Sequence, residues 1–339
     1  MKRQSLYFEG PRRVGIREEE LPALKPEEVL VRSIASAISP GTEMLIYGDQ
    51  APLGLSADST IEALDGQFNY PFKYGYSLVG EVIELGDKVA SHWLGKIVFA
   101  FNPHESHFVA HTEYLHPIPN FVSVEDAIFL PNMETAINFV MDGKPQIGER
   151  VAVFGQGIVG LLTTSLLSEF PNNELVTFDN YENRRNASLS IGADKSLSPS
   201  EMDVIQDQWL GDNIQGSDLI FELSGSPEAL NQAIQLTGFE SRIIIGSWYG
   251  EKKTPLELGR EFHRNRIKLI SSQVSTIAAE FQGRWDKSRR FDLVWEKLAE
   301  IKPSRFITHR FPLECATEAY QLLDQAPKET IQVIFEYPE

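Results

Sequence analysis

The chain has 339 residues, of which 42% are hydrophobic and 23% charged, an ordinary globular composition. At about 100–200 residues per domain this length fits two domains. The formal net charge of −17 opposes binding to nucleic acid or anionic membranes, and no apolar run reaches the roughly 18 residues of a membrane span. The single cysteine, Cys315, excludes an internal disulfide and a cysteine-rich zinc site. The opening MKRQSLYFEG lacks the apolar core of a secretory signal, so a reducing, cytoplasmic setting is expected.

The first third alternates short apolar runs with turn residues. EVLVRSIAS (28–36), GEVIEL (80–85) and GKIVFAF (95–101) read as strands by length, β-branching and flanking Gly, Pro and Asp. A mostly antiparallel β domain is expected there. VEDAIFLPNMETAINFVMD (124–142) has helical periodicity, interrupted at Pro131. Strands and helices then alternate. RVAVFG (150–155), ELVTFD (174–179), DLIFELSG (218–225) and SRIIIGS (241–247) are strands, and IVGLLTTSLLSEF (158–170), NRRNASLSIGA (183–193) and PEALNQAIQLT (227–237) are helices. Such alternation predicts a doubly wound parallel sheet with right-handed crossovers. The last part, with a helix at RRFDLVWEKLAEI (289–301) and strand-like FITHRF and TIQVIFEY, is expected to rejoin the first domain. The α/β chain thus divides into a β-rich catalytic domain, 1–138 plus 273–339, and a nucleotide-binding domain, 139–272.

Gly155-Gln156-Gly157-Ile158-Val159-Gly160 is a GxGxxG motif that follows a strand, opens a helix and precedes Asp179 at the end of the next strand. That context is the one a dinucleotide site requires. Gly155 makes the tight turn, Gly157 admits the pyrophosphate to the backbone, and Gly160 packs helix on strand. The phosphates are expected on the helix N-terminus, at Ile158 and Val159. The Asp179 carboxylate suits ribose hydroxyls and repels a 2′-phosphate, which favours NAD(H) over NADP(H). Arg184 and Arg185 either reach a phosphate or face solvent. Ser224-Gly225-Ser226 and Gly246-Ser247 end later strands, and their small side chains leave room for the nicotinamide half.

With these residues in place, the chain resembles the medium-chain dehydrogenase/reductase superfamily, which includes zinc alcohol dehydrogenases and quinone reductases. The resemblance covers nearly the whole chain. Its closest likeness is to the bacteriochlorophyllide 3-hydroxyethyl dehydrogenase-like branch, carried by ISPGTEMLIYGD (38–49), YPFKYGYSLVGEV (70–82), NPHESHFVAH (102–111), LHPIP (115–119) and LPNMETAIN (130–138). The resemblance implies a GroES-like catalytic domain joined to a Rossmann domain, with cofactor and substrate in the cleft between them.

Members with catalytic zinc carry CGTD, then GHE, then a third ligand before the helix entering the cofactor domain. Here CGTD falls on Pro40-Gly41-Thr42-Glu43, GHE on Gly75-Tyr76-Ser77, and the third ligand at about Pro131. Proline has no side-chain donor and tyrosine is a poor zinc ligand in this setting, so no zinc is expected. The cysteine-rich structural-zinc lobe has no counterpart either. PGTE itself reads as a turn that Gly41 keeps tight. The compact set His104, Glu105 and His107 is the remaining metal candidate, with two ordinary loop histidines as the other reading.

Without zinc, hydride transfer from a secondary alcohol still needs a group beside the oxygen and a base within hydrogen-bonding reach. Thr42 matches the hydroxyl relay position of the superfamily, and Tyr76 takes an old ligand position. His104 is the acid/base candidate by its ordinary pKa, and Glu43 and Glu134 are candidates to orient these groups. Thr135 matches a position beside the nicotinamide, whereas Glu134 also fits a first-turn acid favoured by the helix dipole. Each has a structural alternative: ring packing for Tyr76, turn capping for Thr42. Ene or quinone reduction, and nucleotide binding without turnover, are the alternative functions. Phe68, Tyr70 and Phe72, in the loop 50–73, either line a pocket for a sizeable alcohol or ketone or pack on the β domain. The strand ending segment 257–275 is expected to pair across a twofold axis in a homodimer.

Overall fold

A computed structural model describes residues 2–52, 62–64, 68–210 and 216–338. Strands β1 (Lys2–Gly10) and β2 (Arg13–Glu20) form an antiparallel hairpin. They are followed by β3 (Glu28–Ala37), helix α1 (Pro40–Tyr47), β4 (Leu78–Leu85), β5 (Ile97–Ala100), β6 (His107–His111) and β7 (Leu115–Pro117). Helices α2 (Val124–Ala127) and α3 (Leu130–Gly143) lead to β8 (Arg150–Phe154), α4 (Ile158–Leu167), β9 (Glu174–Phe178), α5 (Glu182–Ser190) and β10 (Lys195–Leu197). Next come α6 (Met202–Leu210), β11 (Ser217–Glu222), α7 (Pro227–Leu236), β12 (Thr237–Ile245) and β13 (Lys268–Ser271). Helix α8 (Lys287–Ile301), β14 (Ile307–Pro312), α9 (Ala316–Gln325) and β15 (Gln332–Glu336) complete the chain.

Two compact units result, one of residues 1–131 with 295–339, the other of residues 132–294. These divisions differ from the expected 138/139 and 272/273. Within the second unit a buried Arg290 ties residues 272–290 to α3: its guanidinium bonds the Glu134 carboxylate (2.6 Å), Asn138 Oδ1 (2.8 Å) and the Val274 carbonyl (2.7 Å).

In the first unit the sheet order is β14-β15-β3-β4-β5-β7, with β6 also on β3. All its pairs are antiparallel except β14–β15. Strand β3 is the hub, since it pairs β4, β6 and β15. A core of Leu6, Phe8, Ile38, Tyr47, Tyr320 and Phe335 lies under it, and the hairpin is bridged to this unit at Ser5–Glu105 and Phe8–Phe72. Phe68 and Phe72 pack into this core, and the Tyr70 hydroxyl donates to the Ile46 carbonyl. Of the loop 50–73, residues 53–61 and 65–67 lie outside the described residues.

The second unit holds a fully parallel sheet in the order β10-β9-β8-β11-β12-β13. Strands β8, β9 and β11 carry continuous apolar runs because helices cover both faces of such a sheet. The order reverses between β8 and β11, and open sheets of this kind bind ligands outside the carboxyl ends of their strands at that switch point. The α/β fold class is as the sequence predicts.

Three local readings differ. PGTE is not a tight turn but the first turn of α1: Pro40 is tolerated where the helix N–H has no partner anyway, and Glu43 Oε1 accepts the Ser39 N–H at 2.7 Å. Gly41 has no positive φ, and a Cβ there would meet nothing within 4 Å. Pro131 likewise lies in the first turn of α3 rather than breaking a helix midway.

Candidate active site

Gly155 adopts φ +90° at the end of β8, and a Cβ there would stand 2.5 Å from Ser224 Cα. At Gly160 a Cβ would stand 2.0 Å from the Gly155 carbonyl oxygen. Both positions therefore demand glycine. Gly157 is the N-cap of α4, and a Cβ there would meet only the Arg184 guanidinium, at 3.9 Å. The first N–H groups of the helix, at Ile158, Val159 and Gly160, have no intrahelical acceptor by geometry, which suits an anion. Asp179 is 7% exposed, and its Oδ2 accepts the Gln156 N–H (2.7 Å) and its Oδ1 the Tyr181 N–H (2.8 Å). Each oxygen keeps a second lone pair for a ribose hydroxyl. The Arg185 guanidinium is turned back onto the carbonyls of Asp179 and Asn180, both at 2.9 Å, whereas Arg184 stacks on the Tyr181 ring. The residues present fit a dinucleotide.

Ser224 and Gly225 follow β11, Gly246 follows β12, and Thr135 is half-buried on α3. Glu134, beside Thr135, is a buried ion pair with Arg290 rather than a solvated first-turn acid. Burial raises its pKa, and the Arg290 charge opposes that rise. Nothing in the local sequence pattern announces a buried cation at Arg290.

In the first unit Glu43 is fully buried. Its carboxylate accepts from the Ser39 N–H, from His104 Nε2 at 3.1 Å and from the Tyr320 hydroxyl. His104 Nδ1 lies 2.7 Å from Ser36 Oγ, which lies 2.8 Å from the Tyr337 hydroxyl. One tautomer satisfies every partner: Nε2–H donates to Glu43, Nδ1 accepts from Ser36, and Ser36 accepts from Tyr337. Burial, reinforced by the Glu43 carboxylate, pushes the Tyr320 phenol far above its ordinary pKa, and burial does the same for Tyr337. His104 has no exposed surface and both its nitrogens are engaged. Its ring packs on the backbone of Gly75 (φ +127°), where a Cβ would stand 2.8 Å from Cδ2 and Nε2. The next residue is Tyr76, whose hydroxyl lies 3.5 Å from Thr42 Oγ1; both side chains are half-buried.

The neighbouring Glu105 turns elsewhere, to Arg3 (2.6 Å) and Lys73 (2.9 Å), and His107 contacts Ser106 Oγ at 3.2 Å. His104, Glu105 and His107 therefore do not converge. Among the described residues no three His, Cys, Asp or Glu side chains are grouped to hold a metal ion. Pro40 and Pro131 have no side-chain donor atom, so the positions that the resemblance assigns to zinc ligands do not fit that metal.

Comparison with known proteins agrees with this architecture. Residues 159–290 match the family described as zinc-binding dehydrogenase. Over 97% of this chain and 99% of its own length, D-guloside 3-dehydrogenase of Escherichia coli (strain K12) is 25% identical. An alcohol dehydrogenase of E. coli CFT073 complexed with NADH superposes with a TM-score of 0.79 at 20% identity, covering 99% of both chains. A protein of Sinorhizobium meliloti 1021 bound to NADP gives 0.77 at 18% identity, again covering 99% of both.

Proposed function

We propose that the chain is an alcohol dehydrogenase-like member of the medium-chain dehydrogenase/reductase superfamily, as the match of residues 159–290 to the zinc-binding dehydrogenase family supports, and that it interconverts a secondary alcohol and a ketone with NAD(H) and without zinc. It is an oxidoreductase of the alcohol dehydrogenase type. The single observation that carries the zinc-free reading is the approach of the Thr42 and Tyr76 hydroxyls, 3.5 Å apart, one at a relay position and the other at a former ligand position.

Bound NAD(H) supplies the hydride acceptor or donor. Gly155, Gly157 and the first turn of α4 hold its pyrophosphate, and Asp179 takes the adenosine ribose. Asp179 is the argument for NAD(H) over NADP(H), because a 2′-phosphate beside that carboxylate would be repelled. Thr135, Ser224, Gly225 and Gly246 border the nicotinamide half. On the substrate side, Tyr76 hydrogen-bonds the alcohol or ketone oxygen, and Thr42, half-buried like Tyr76, passes the proton the alcohol loses to solvent water, or returns one from water in ketone reduction. Glu43 and His104 act through these two: Glu43 fastens the first turn of α1, which carries Thr42, and His104 supports Gly75 beneath Tyr76. This assigns His104 a positioning role in place of the acid/base role expected from its pKa alone.

D-Guloside 3-dehydrogenase, a relative matched over nearly its full length, and sorbitol dehydrogenase 1 of Saccharomyces cerevisiae, at 22% identity, make sugars and polyols the first substrates to test. Strand β13 pairs β12 on one side and has no strand on its other side among the described residues, which supports a homodimer closed through that edge. No helix among the described residues is long and apolar enough to cross a membrane, and we place the enzyme in the cytoplasm.

The test measures metal content of the purified protein alongside NADH and NADPH titrations and a panel of alcohols, ketones and enones. Stoichiometric zinc sinks the zinc-free reading, tighter NADPH binding sinks the Asp179 argument, and turnover of enones alone replaces alcohol chemistry by ene reduction. Binding without turnover anywhere in the panel contradicts the oxidoreductase assignment.

A further inference from the structure

Glu222 is the last residue of β11, beside the switch point, and its side chain has no exposed surface. A carboxylate buried in this way is costly unless donors surround it. Here they do. Oε1 accepts the Ser224 N–H at 2.9 Å and the Ser224 hydroxyl, and Oε2 accepts the Tyr249 hydroxyl. Its main-chain carbonyl accepts the N–H groups of Gly246 (3.0 Å) and Ser247 (3.2 Å). Ser247 Oγ in turn accepts the Gly225 N–H at 2.9 Å. One residue thus binds together the turn after β11 and the segment after β12. The first of these turns lies directly against the glycine loop, since Ser224 Cα occupies the space a Gly155 side chain would need. Gly225, at φ +70°, has nothing within 4 Å of a Cβ position, so the turn presents open backbone.

We infer that Glu222 and Tyr249 are positioning residues for the nicotinamide half of the bound dinucleotide, holding Ser224-Gly225 and Gly246-Ser247 at the switch point. This rests on the dinucleotide reading above. The adenosine and pyrophosphate contacts, at Asp179 and the first turn of α4, do not involve this carboxylate. A defect at Glu222 therefore discriminates between the two halves of the cofactor. The phenol stays protonated, since burial and the adjacent carboxylate both raise its pKa, so the Tyr249 hydroxyl remains a donor across the accessible pH range.

The experiment titrates the full chain with NADH and with ADP-ribose, which lacks the nicotinamide, in wild type, E222Q and Y249F. E222Q keeps the shape but removes the charge and one acceptor oxygen, so the side chain can no longer accept from both Ser224 and Tyr249. NADH affinity is expected to fall roughly tenfold in E222Q and roughly threefold in Y249F, with ADP-ribose affinity unchanged within about twofold. The KM for NADH rises accordingly. Equal losses for both ligands, or no loss for either, overturn the inference. Should E222Q fail to fold, Y249F decides by the same criterion, because it removes one hydroxyl only. Wild-type protein that binds neither ligand overturns the dinucleotide reading itself, which separates that failure from this one.

Discussion

The glycine loop of the second unit and the buried network of the first are both parts of the proposed site, but they are specified in opposite ways. At Gly155 and Gly160 the determinant is missing side-chain volume, fixed by backbone atoms 2.5 and 2.0 Å away. Around Glu43 the determinant is the Ser39 N–H together with side chains from positions 36, 104, 320 and 337, each of these polar groups matched to another. A backbone-specified site is compact in sequence and tolerates no added atom. A side-chain network is scattered in sequence, and it tolerates isosteric change while failing when one partner leaves the others unpaired.

Four substitutions or conditions press on that contrast. The largest effect is expected from Gly160→Ala, whose Cβ has no space: NADH binding should weaken by roughly 1,000-fold, about 4 kcal/mol, in a fluorescence titration. Retained affinity would mean that the loop yields, and the contrast would collapse. Glu43→Ala comes next, because it strands the Ser39 N–H, His104 and the Tyr320 hydroxyl; a loss of about 2–3 kcal/mol in urea unfolding is expected. Glu43→Gln keeps the volume and one acceptor oxygen and should cost clearly less; equal costs for the two would show that both carboxylate oxygens, rather than one acceptor and the filled volume, are needed there.

Tyr76→Phe tests chemistry rather than folding. It should lower kcat roughly 10- to 50-fold and leave NADH affinity unchanged. A wild-type rate removes Tyr76 from the proton path. The smallest effect concerns pH. Burial alone would raise the Glu19 pKa, but the Tyr7 hydrogen bond, Lys73, Ser5 and Arg3 outweigh it and hold the group down at about 2. A carboxylate depressed below its unfolded 4.5 stabilises the fold above that pH, and the contribution is lost as pH falls toward 2. Acid unfolding of Glu19→Gln should therefore depend less steeply on pH over that window than that of wild type. Identical curves would show that Glu19 is not a source of the acid sensitivity.

How much of this was readable in advance follows the same division. Short β-branched apolar runs between turn residues reveal β3 and the parallel strands other than the short β10, and helical patterns reveal most helices of the second unit, because each of these elements buries a regular apolar face. The glycine motif, with Asp179, marks the turn between β8 and α4 as the proposed dinucleotide loop, because its requirements are local. The first turn of α1 was misread since a proline followed by glycine signals a turn, whereas proline at the start of a helix costs nothing. Glu134 looked like a dipole acid, and only tertiary contact with Arg290, 156 residues away, shows its role. Ser36, Tyr320, Tyr337, Glu222 and Tyr249 carried no motif at all. Their meaning lies in partners that periodicity does not connect.

Strand β3, the hub of the first unit, pairs on one side with β15, near the far end of the chain, and Ser36 within it reaches Tyr337. The second unit, residues 132–294, is by contrast one unbroken stretch. On the ribosome this stretch emerges whole and can complete its own sheet while β3, already beside β4 and β6, still lacks β15. Domains form as units as they emerge during synthesis. The nucleotide-binding half is therefore expected to mature first, while the half carrying Thr42 and Tyr76 waits with part of the β3 edge open and Glu43 without its Tyr320 partner until α9 and β15 are made. Vectorial synthesis makes those final strands the step at which this protein is most open to chaperones and to misassembly.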